Sequence, residues 1–154
     1  MRETVFNWLQ PHVPGARCLD LFAGSGALGF EALSRGAREV VFVDTDREAV
    51  QGVVEMLQTL RCERGRAVHA AAEAYLAQPP VPFDVVFLDP PFAERALPGL
   101  CALLEQRGWL APGARVYLED AAAAGEPALP AGWTLLRSKR AGEVGYHLAR
   151  REPE

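Results

Sequence analysis

Three carboxylates, Asp20, Asp44 and Asp89, stand where the residues around them give an acid something to do. Asp20 opens the run Asp20-Leu21-Phe22-Ala23-Gly24-Ser25-Gly26-Ala27-Leu28-Gly29. Gly24 and Gly26 lack a Cβ, so the backbone there can turn tightly and lie close against a ligand. A helix beginning just after them would aim free N–H groups and a positive dipole end at that ligand. Gly24, Gly26 and Gly29 satisfy the dinucleotide-binding spacing, and Asp44 follows about 20 residues on, at the end of an apolar run. An acid so placed accepts hydrogen bonds from two ribose hydroxyls. The pattern predicts a nucleoside-containing cofactor. Asp20 narrows the choice, because a carboxylate at a strand tip suits an ammonium or sulfonium end and would repel a pyrophosphate.

The third acid begins Asp89-Pro90-Pro91-Phe92. Two prolines fix φ and remove N–H donors, leaving a stiff backbone whose carbonyls are free acceptors. Asp89 and the Pro90 carbonyl can together accept both hydrogens of an exocyclic amine, while Phe92 offers a face on which a planar base stacks. An amine conjugated to a purine ring is a poor nucleophile. Accepting its hydrogens lets the nitrogen move toward tetrahedral geometry and aims its lone pair at an electrophilic methyl. In-line placement supplies much of the rate of such a transfer. No residue here reads as a strong general base, and the methylated amine can lose its proton to solvent.

The elements that must hold these acids alternate between strand and helix. Residues 2–10 read as a helix with Val5, Phe6 and Leu9 on one face, ended by Pro11 and Pro14-Gly15. Strands are expected at 17–21, 39–43 and, weakly, 67–70, with helices at 26–35 and 73–77. Between the second and third strands, Thr45 or Asp46 caps a helix whose apolar stripe is Ala49, Val50, Val53, Val54, Leu57 and Leu60. Residues 83–88 have Asp84 as their only polar member, a pattern suited to the middle of a parallel sheet. A helix at 96–106, a strand at 114–119, a loop at 120–132 and two strands at 133–138 and 146–149 complete the chain. This is an α/β pattern, a doubly wound, mostly parallel seven-stranded sheet closed by an antiparallel C-terminal hairpin. Its ligand crevice belongs at the carboxyl ends of the strands, where all three acids fall.

Bulk properties fit one domain over residues 1–154 that is long enough to bury a core. Hydrophobic residues make up 49% and charged residues 23%, as in soluble globular proteins. No apolar run approaches the ~20 residues of a membrane span. Cys18, Cys62 and Cys101 are isolated, so neither a disulfide nor a zinc site is expected, and a cytoplasmic setting fits. A net charge of −4 argues against strong non-specific nucleic-acid binding, although Arg137, Lys139, Arg140, Arg150 and Arg151 crowd the C-terminal segment. That crowd reads equally as a solvated hairpin or as a phosphate-facing patch. His12, His69 and His147 are scattered and read as surface or packing residues.

The glycine run resembles the S-adenosylmethionine (SAM) loop of class I methyltransferases, and Asp89-Pro90-Pro91-Phe92 resembles the Asn/Asp-Pro-Pro-Tyr/Phe signature of amino-methyltransferases. Adding residues 2–9 (Arg-Glu-Thr-Val-Phe-Asn-Trp-Leu), 31–35 (Glu-Ala-Leu-Ser-Arg), Gly108-Trp109-Leu110 and 141–146 (Ala-Gly-Glu-Val-Gly-Tyr), the chain is similar to the bacterial 16S rRNA guanine-N2 methyltransferase family over nearly its whole length. The resemblance implies a Rossmann-like fold and methyl transfer from SAM to the N2 amine of a guanine in small-subunit RNA. It puts Asp20 toward the methionine end of SAM, Gly24, Ser25 and Gly26 beneath it, Asp44 on the ribose, Thr45 beside the adenine, and Phe22 and Ala72 among the cofactor contacts. Asp89, Pro90, Pro91 and Phe92 form the catalytic segment. The implied partner is 16S rRNA or a small-subunit assembly particle, with no metal or membrane, and the protein is expected to be a monomer.

Two departures accompany the resemblance. Family members carry a basic N-terminal hairpin before the Arg-Glu-Thr block, whereas Met1 stands directly before Arg2, so that extension is expected to be absent. A polar residue common near the adenine is replaced by Ala70-Ala71-Ala72, leaving adenine recognition to backbone groups and apolar contact, with the part of Glu73 open. Three rivals stand beside the main reading: an adenine-N6 methyltransferase of DNA or RNA, a non-catalytic SAM- or nucleotide-binding assembly module, and a nicotinamide oxidoreductase. Asp20 and the lack of a Lys, His or Tyr hydride-transfer site at the strand ends disfavour the last.

Overall fold

The strongest apolar run of the chain becomes its central strand. A computed structural model describes residues 1–91 and 96–152, and in it β4 (Phe83–Leu88) pairs with β1 (Arg17–Asp20) on one side and β5 (Leu110–Ala121) on the other. The sheet continues through β2 (Glu39–Asp44) and β3 (Gly65–His69), and beyond β5 through β7 (Val144–Arg151) and β6 (Trp133–Ala141). Its order is β3-β2-β1-β4-β5-β7-β6. Strands β1 to β5 pair in parallel, and β7 lies antiparallel between β5 and β6. The winding direction reverses between β1 and β4, which makes the carboxyl ends of those two strands the switch point.

Alternation along the strands splits the core into two layers. Leu19, Val41, Val86, Leu88, Val116 and Leu118 face α4 (Ala72–Tyr75) and α5 (Leu97–Gln106). Cys18, Val40, Phe42, Val85, Phe87 and Tyr117 face α1 (Arg2–Leu9), α2 (Ala27–Ser34) and α3 (Arg47–Thr59). Both faces of β4 are thereby covered, as its sequence requires. Asp46 caps α3 by accepting the Glu48 N–H at 3.0 Å.

The elements follow the sequence pattern, and their ends depart from it for local reasons. Strand β3 starts at Gly65, earlier than the apolar run, because Gly65 and Arg66 pair with Val40 and Val41. Leu60, expected in the α3 stripe, is 58% exposed, because it lies at the C-cap past the last buried turn. Strand β5 begins at Leu110 and passes through Pro112-Gly113, which read as a turn. Phe83 pairs with Leu110 and Val85 with Arg115, so the segment between bulges out and accommodates a proline without an N–H. Asp120 and Ala121, expected in a loop, extend β5 by pairing with Gly145 and Val144. The hairpin strands also run longer than their apolar centres, meeting at Gly142, which has φ +60°.

Candidate active site

Strand β1 ends in a buried acid, and the turn that follows is held from two directions. Asp20 is 2% exposed, and its Oδ2 accepts the Gly29 N–H of α2 at 3.0 Å. Burial, then the charges of Asp89 and Asp44, push its carboxyl up to about 7, against the lowering effect of the Gly29 hydrogen bond. Asp44, at the tip of β2, reaches back across the sheet. Its Oδ2 accepts the Gly24 N–H at 2.8 Å and its Oδ1 accepts the Asp46 N–H at 2.8 Å. A carboxylate has about four lone-pair sites, so each oxygen keeps one for a ligand hydroxyl.

The two turn glycines serve different ends. Gly24 has φ +55°, with nothing within 4 Å of a Cβ position. Gly26 has φ +83° and caps α2 in the left-handed conformation, and a Cβ there would meet the Phe30 ring at 2.8 Å. The absence of a Cβ at Gly26 thus allows α2 to seat on its neighbours. Ser25 is exposed on the turn.

One cleft of about 520 Å³ opens at the switch point. Phe22 after β1, Asp44 and Thr45 at the end of β2, Ala71, Ala72 and Glu73 after β3, Asp89, Pro90 and Pro91 after β4, and Ala96 before α5 line it. Its size suits a nucleoside-sized ligand. Sequence reasoning therefore brought Phe22, Asp44, Thr45, Ala72, Asp89, Pro90 and Pro91 to the same cavity. Asp20 lies beneath the glycine turn and is absent from the lining, while Phe92 lies outside the described residues. Ala71, Glu73 and Ala96 were not assigned in advance. His69 Nε2 on β3 lies 2.9 Å from the carbonyl of Thr45, a cleft-lining residue.

Asp89 is exposed at the cleft, where partial desolvation raises its carboxyl above the ordinary value. One strand over, Glu119 is 8% exposed and accepts the Tyr117 hydroxyl at 2.8 Å. Its carboxyl is raised first by burial and also by the Asp89 charge, while the Tyr117 hydrogen bond pulls it down. Glu119 lies one residue past the last β4–β5 pair, Leu88 with Leu118, and is a fourth acid beside the strand ends. Its position at the end of an apolar strand was the available signal, and it went unused because no motif surrounds it. Among the described residues no cluster of three His, Cys, Asp or Glu side chains could hold a metal.

A seven-stranded sheet with β7 antiparallel between β5 and β6, and acids on the tips of β1 and β2, defines a Rossmann-like class I methyltransferase. A family model described as Conserved hypothetical protein 95 matches residues 1–150. Ribosomal RNA small subunit methyltransferase D of Escherichia coli K12 is 46% identical over 154 residues, spanning 100% of this chain and 78% of that protein. Its Haemophilus influenzae counterpart is 43% identical over 157 residues, spanning 96% and 78%. The solved structure of the Escherichia coli protein yhhF superposes with a TM-score of 0.95 at 46% identity, covering 99% of this chain and 86% of that one. The chain belongs to the family of the ribosomal RNA small subunit methyltransferase D proteins.

Proposed function

We propose that this protein transfers a methyl group from SAM to the exocyclic N2 amine of a guanine in 16S ribosomal RNA. The observation that carries the reading is that a ribose-type acid, Asp44, and an amine-type acceptor, Asp89-Pro90, line one cleft. Membership of the methyltransferase D family supports the RNA substrate. Bound in the cleft, SAM would supply an electrophilic methyl on sulfur. The residues fit it: Asp44 keeps lone pairs that would take the ribose hydroxyls, Thr45, Ala71 and Ala72 would flank the adenine, and Asp20 offers a buried carboxyl behind the glycine turn that a cationic ligand would ionise.

On the substrate side, Asp89 and the Pro90 carbonyl accept the two amine hydrogens and fix the nitrogen lone pair toward the cleft. The stiffness of Pro90-Pro91 keeps the acceptor pair from relaxing away. Phe92, in sequence directly after them, supplies the stacking face. The amine proton leaves to solvent after transfer, so no general base is required. The experiment is mass spectrometry of nucleosides from small-subunit RNA incubated with the protein and isotopically labelled SAM. Labelled N2-methylguanosine is the expected product. Labelled N6-methyladenosine would replace this reading with the adenine one, and no label with intact SAM binding would leave a binding module.

A further inference from the structure

The basic C-terminal cluster does not act as a unit. Arg151 pairs with Glu105 at 2.9 Å and Arg150 with Glu152 at 3.6 Å. Arg140 donates Nε–H to the Gly142 carbonyl at 2.9 Å and stands opposite Gly145. Arg137 and Lys139 remain exposed on β6, with no salt bridge among the described residues. Register fixes where they face. Lys139 pairs with Tyr146 and Tyr146 with Glu119, while Leu118 pairs with Leu88, so one further residue sets Asp89 beside Glu119. Asp89, Glu119, Tyr146 and Lys139 therefore form one row across β4, β5, β7 and β6. Three strand spacings of about 4.8 Å make that row about 14 Å long. Arg137 pairs with Leu148 and shares the face of Lys139 one pleat back. Between the cations and the cleft, the half-buried Trp8 of α1 stacks on Tyr146, with centroids 5.5 Å apart at 26°.

We propose that Arg137 and Lys139, with Trp8 beside them, form a docking strip for the RNA backbone flanking the target nucleotide. The inference rests on the RNA reading above. Charge complementarity carries it: the chain has a net charge of −4, so it offers a polyanion no general attraction, and these two cations share one face with the acceptor site. The order along the row also fits. Glu119 next to Asp89 repels phosphate, so the backbone is held at the β6 side and the base reaches inward. The half-buried Trp8 ring suits an unpaired base near the target.

Charged residues also protect an edge strand from pairing with other chains, and β6 is an edge. Arg140 separates the two roles, since it carries the same charge on the same edge but in register with the opposite face. The test uses the full chain, a 16S rRNA transcript and a salt series. R137Q/K139Q should weaken RNA binding about tenfold or more and flatten the salt slope by about 1.4, two phosphate contacts at about 0.7 each for single strands. The loss should fall on KM for RNA, with SAM binding unchanged. R140Q should leave both slope and KM near those of the parent. Equal slopes for parent and R137Q/K139Q, or the same loss in R140Q, would overturn the proposal. RNA binding is read without methylation, so a failure of the guanine reading would leave this result standing.

Discussion

The Asp44 carboxylate ties the tip of β2 to the glycine turn after β1, its Oδ2 accepting the Gly24 N–H at 2.8 Å. The same side chain holds the Asp46 N–H at the start of α3. One acid thus sets the geometry of the turn, the helix entry and the cleft wall before any ligand arrives. Asp44→Ala should weaken SAM binding by roughly 1.5–3 kcal/mol for each charge-assisted hydrogen bond lost, with further loss from the loosened turn. Asp44→Asn, which keeps one acceptor, should retain part of the affinity. Calorimetry with SAM and with NAD gives the comparison. NAD binding without SAM binding would contradict the cofactor assignment.

Asp20 predicts a pH dependence. Its carboxyl is raised in the folded protein from 3.8 to about 7, so the folded state holds a proton that the unfolded state has lost. The stability this gives is fully present below about pH 4 and is lost as pH rises through about 7, each unit of difference counting about 1.4 kcal/mol. Asp20→Asn keeps an acceptor for the Gly29 N–H and removes the titration. Its melting temperature should exceed that of the parent at about pH 8 and match it more closely at about pH 5. A cationic ligand favours the ionised acid, so SAM binding by the parent should tighten between about pH 6 and 8 and release protons, whereas Asp20→Asn should show neither. Parallel melting curves for the two proteins across pH would exclude the titration.

The sheet was legible because β4 is apolar on both faces and the strand tips carry acids. Asp44 and Asp89 could be assigned to one crevice because a doubly wound sheet has its switch point at the carboxyl ends, while Thr45 and Ala72 came from the family resemblance. What stayed hidden was set by pairing across the sheet. Arg137 turns to the face opposite Leu135, two residues before it, because β6 has a register shift between them, which no local pattern announces. The bulge through Pro112-Gly113 reads as a turn because its composition is that of a turn. Gly29 reads only as the third glycine of the spacing, because the motif does not reveal that Phe42 packs behind it.

That packing makes Gly29 a stability site. A Cβ there would lie 2.2 Å from the Phe42 ring, and α2 and β2 are both held by their neighbours. Gly29→Ala should destabilise the fold by about 1–3 kcal/mol through overpacking. Phe42→Leu in the same chain should recover part of that loss, giving a coupling energy in a double-mutant cycle read by urea denaturation. Additive losses would mean that the ring yields without cost and that Gly29 is kept for another reason.

Asp89 should separate binding from chemistry. It lines the cleft from the end of β4, whereas Asp44 and Thr45 line it from the end of β2, with β1 between them, so removing it leaves the proposed cofactor contacts in place. Asp89→Ala should keep SAM affinity within a few-fold of the parent and lower methyl transfer roughly a hundredfold or more, since the amine hydrogens lose their anionic acceptor and the nitrogen its alignment. Asp89→Asn keeps one carbonyl oxygen but no charge, and should fall between. The pH profile supplies the independent check. Partial desolvation in the cleft raises the Asp89 carboxyl, and the ionised form is the stronger acceptor of the amine hydrogen that Asp89 holds, so methyl transfer by the parent should decline on acidification at a pH above the ordinary aspartate range. Asp89→Asn, with no carboxyl to protonate, should lose that limb. If Asp89→Ala instead abolished SAM binding in a folded protein, Asp89 would belong to the cofactor half of the cleft and the amine acceptor would have to be sought elsewhere, with the Glu119 carboxylate beside it as the next residue to replace.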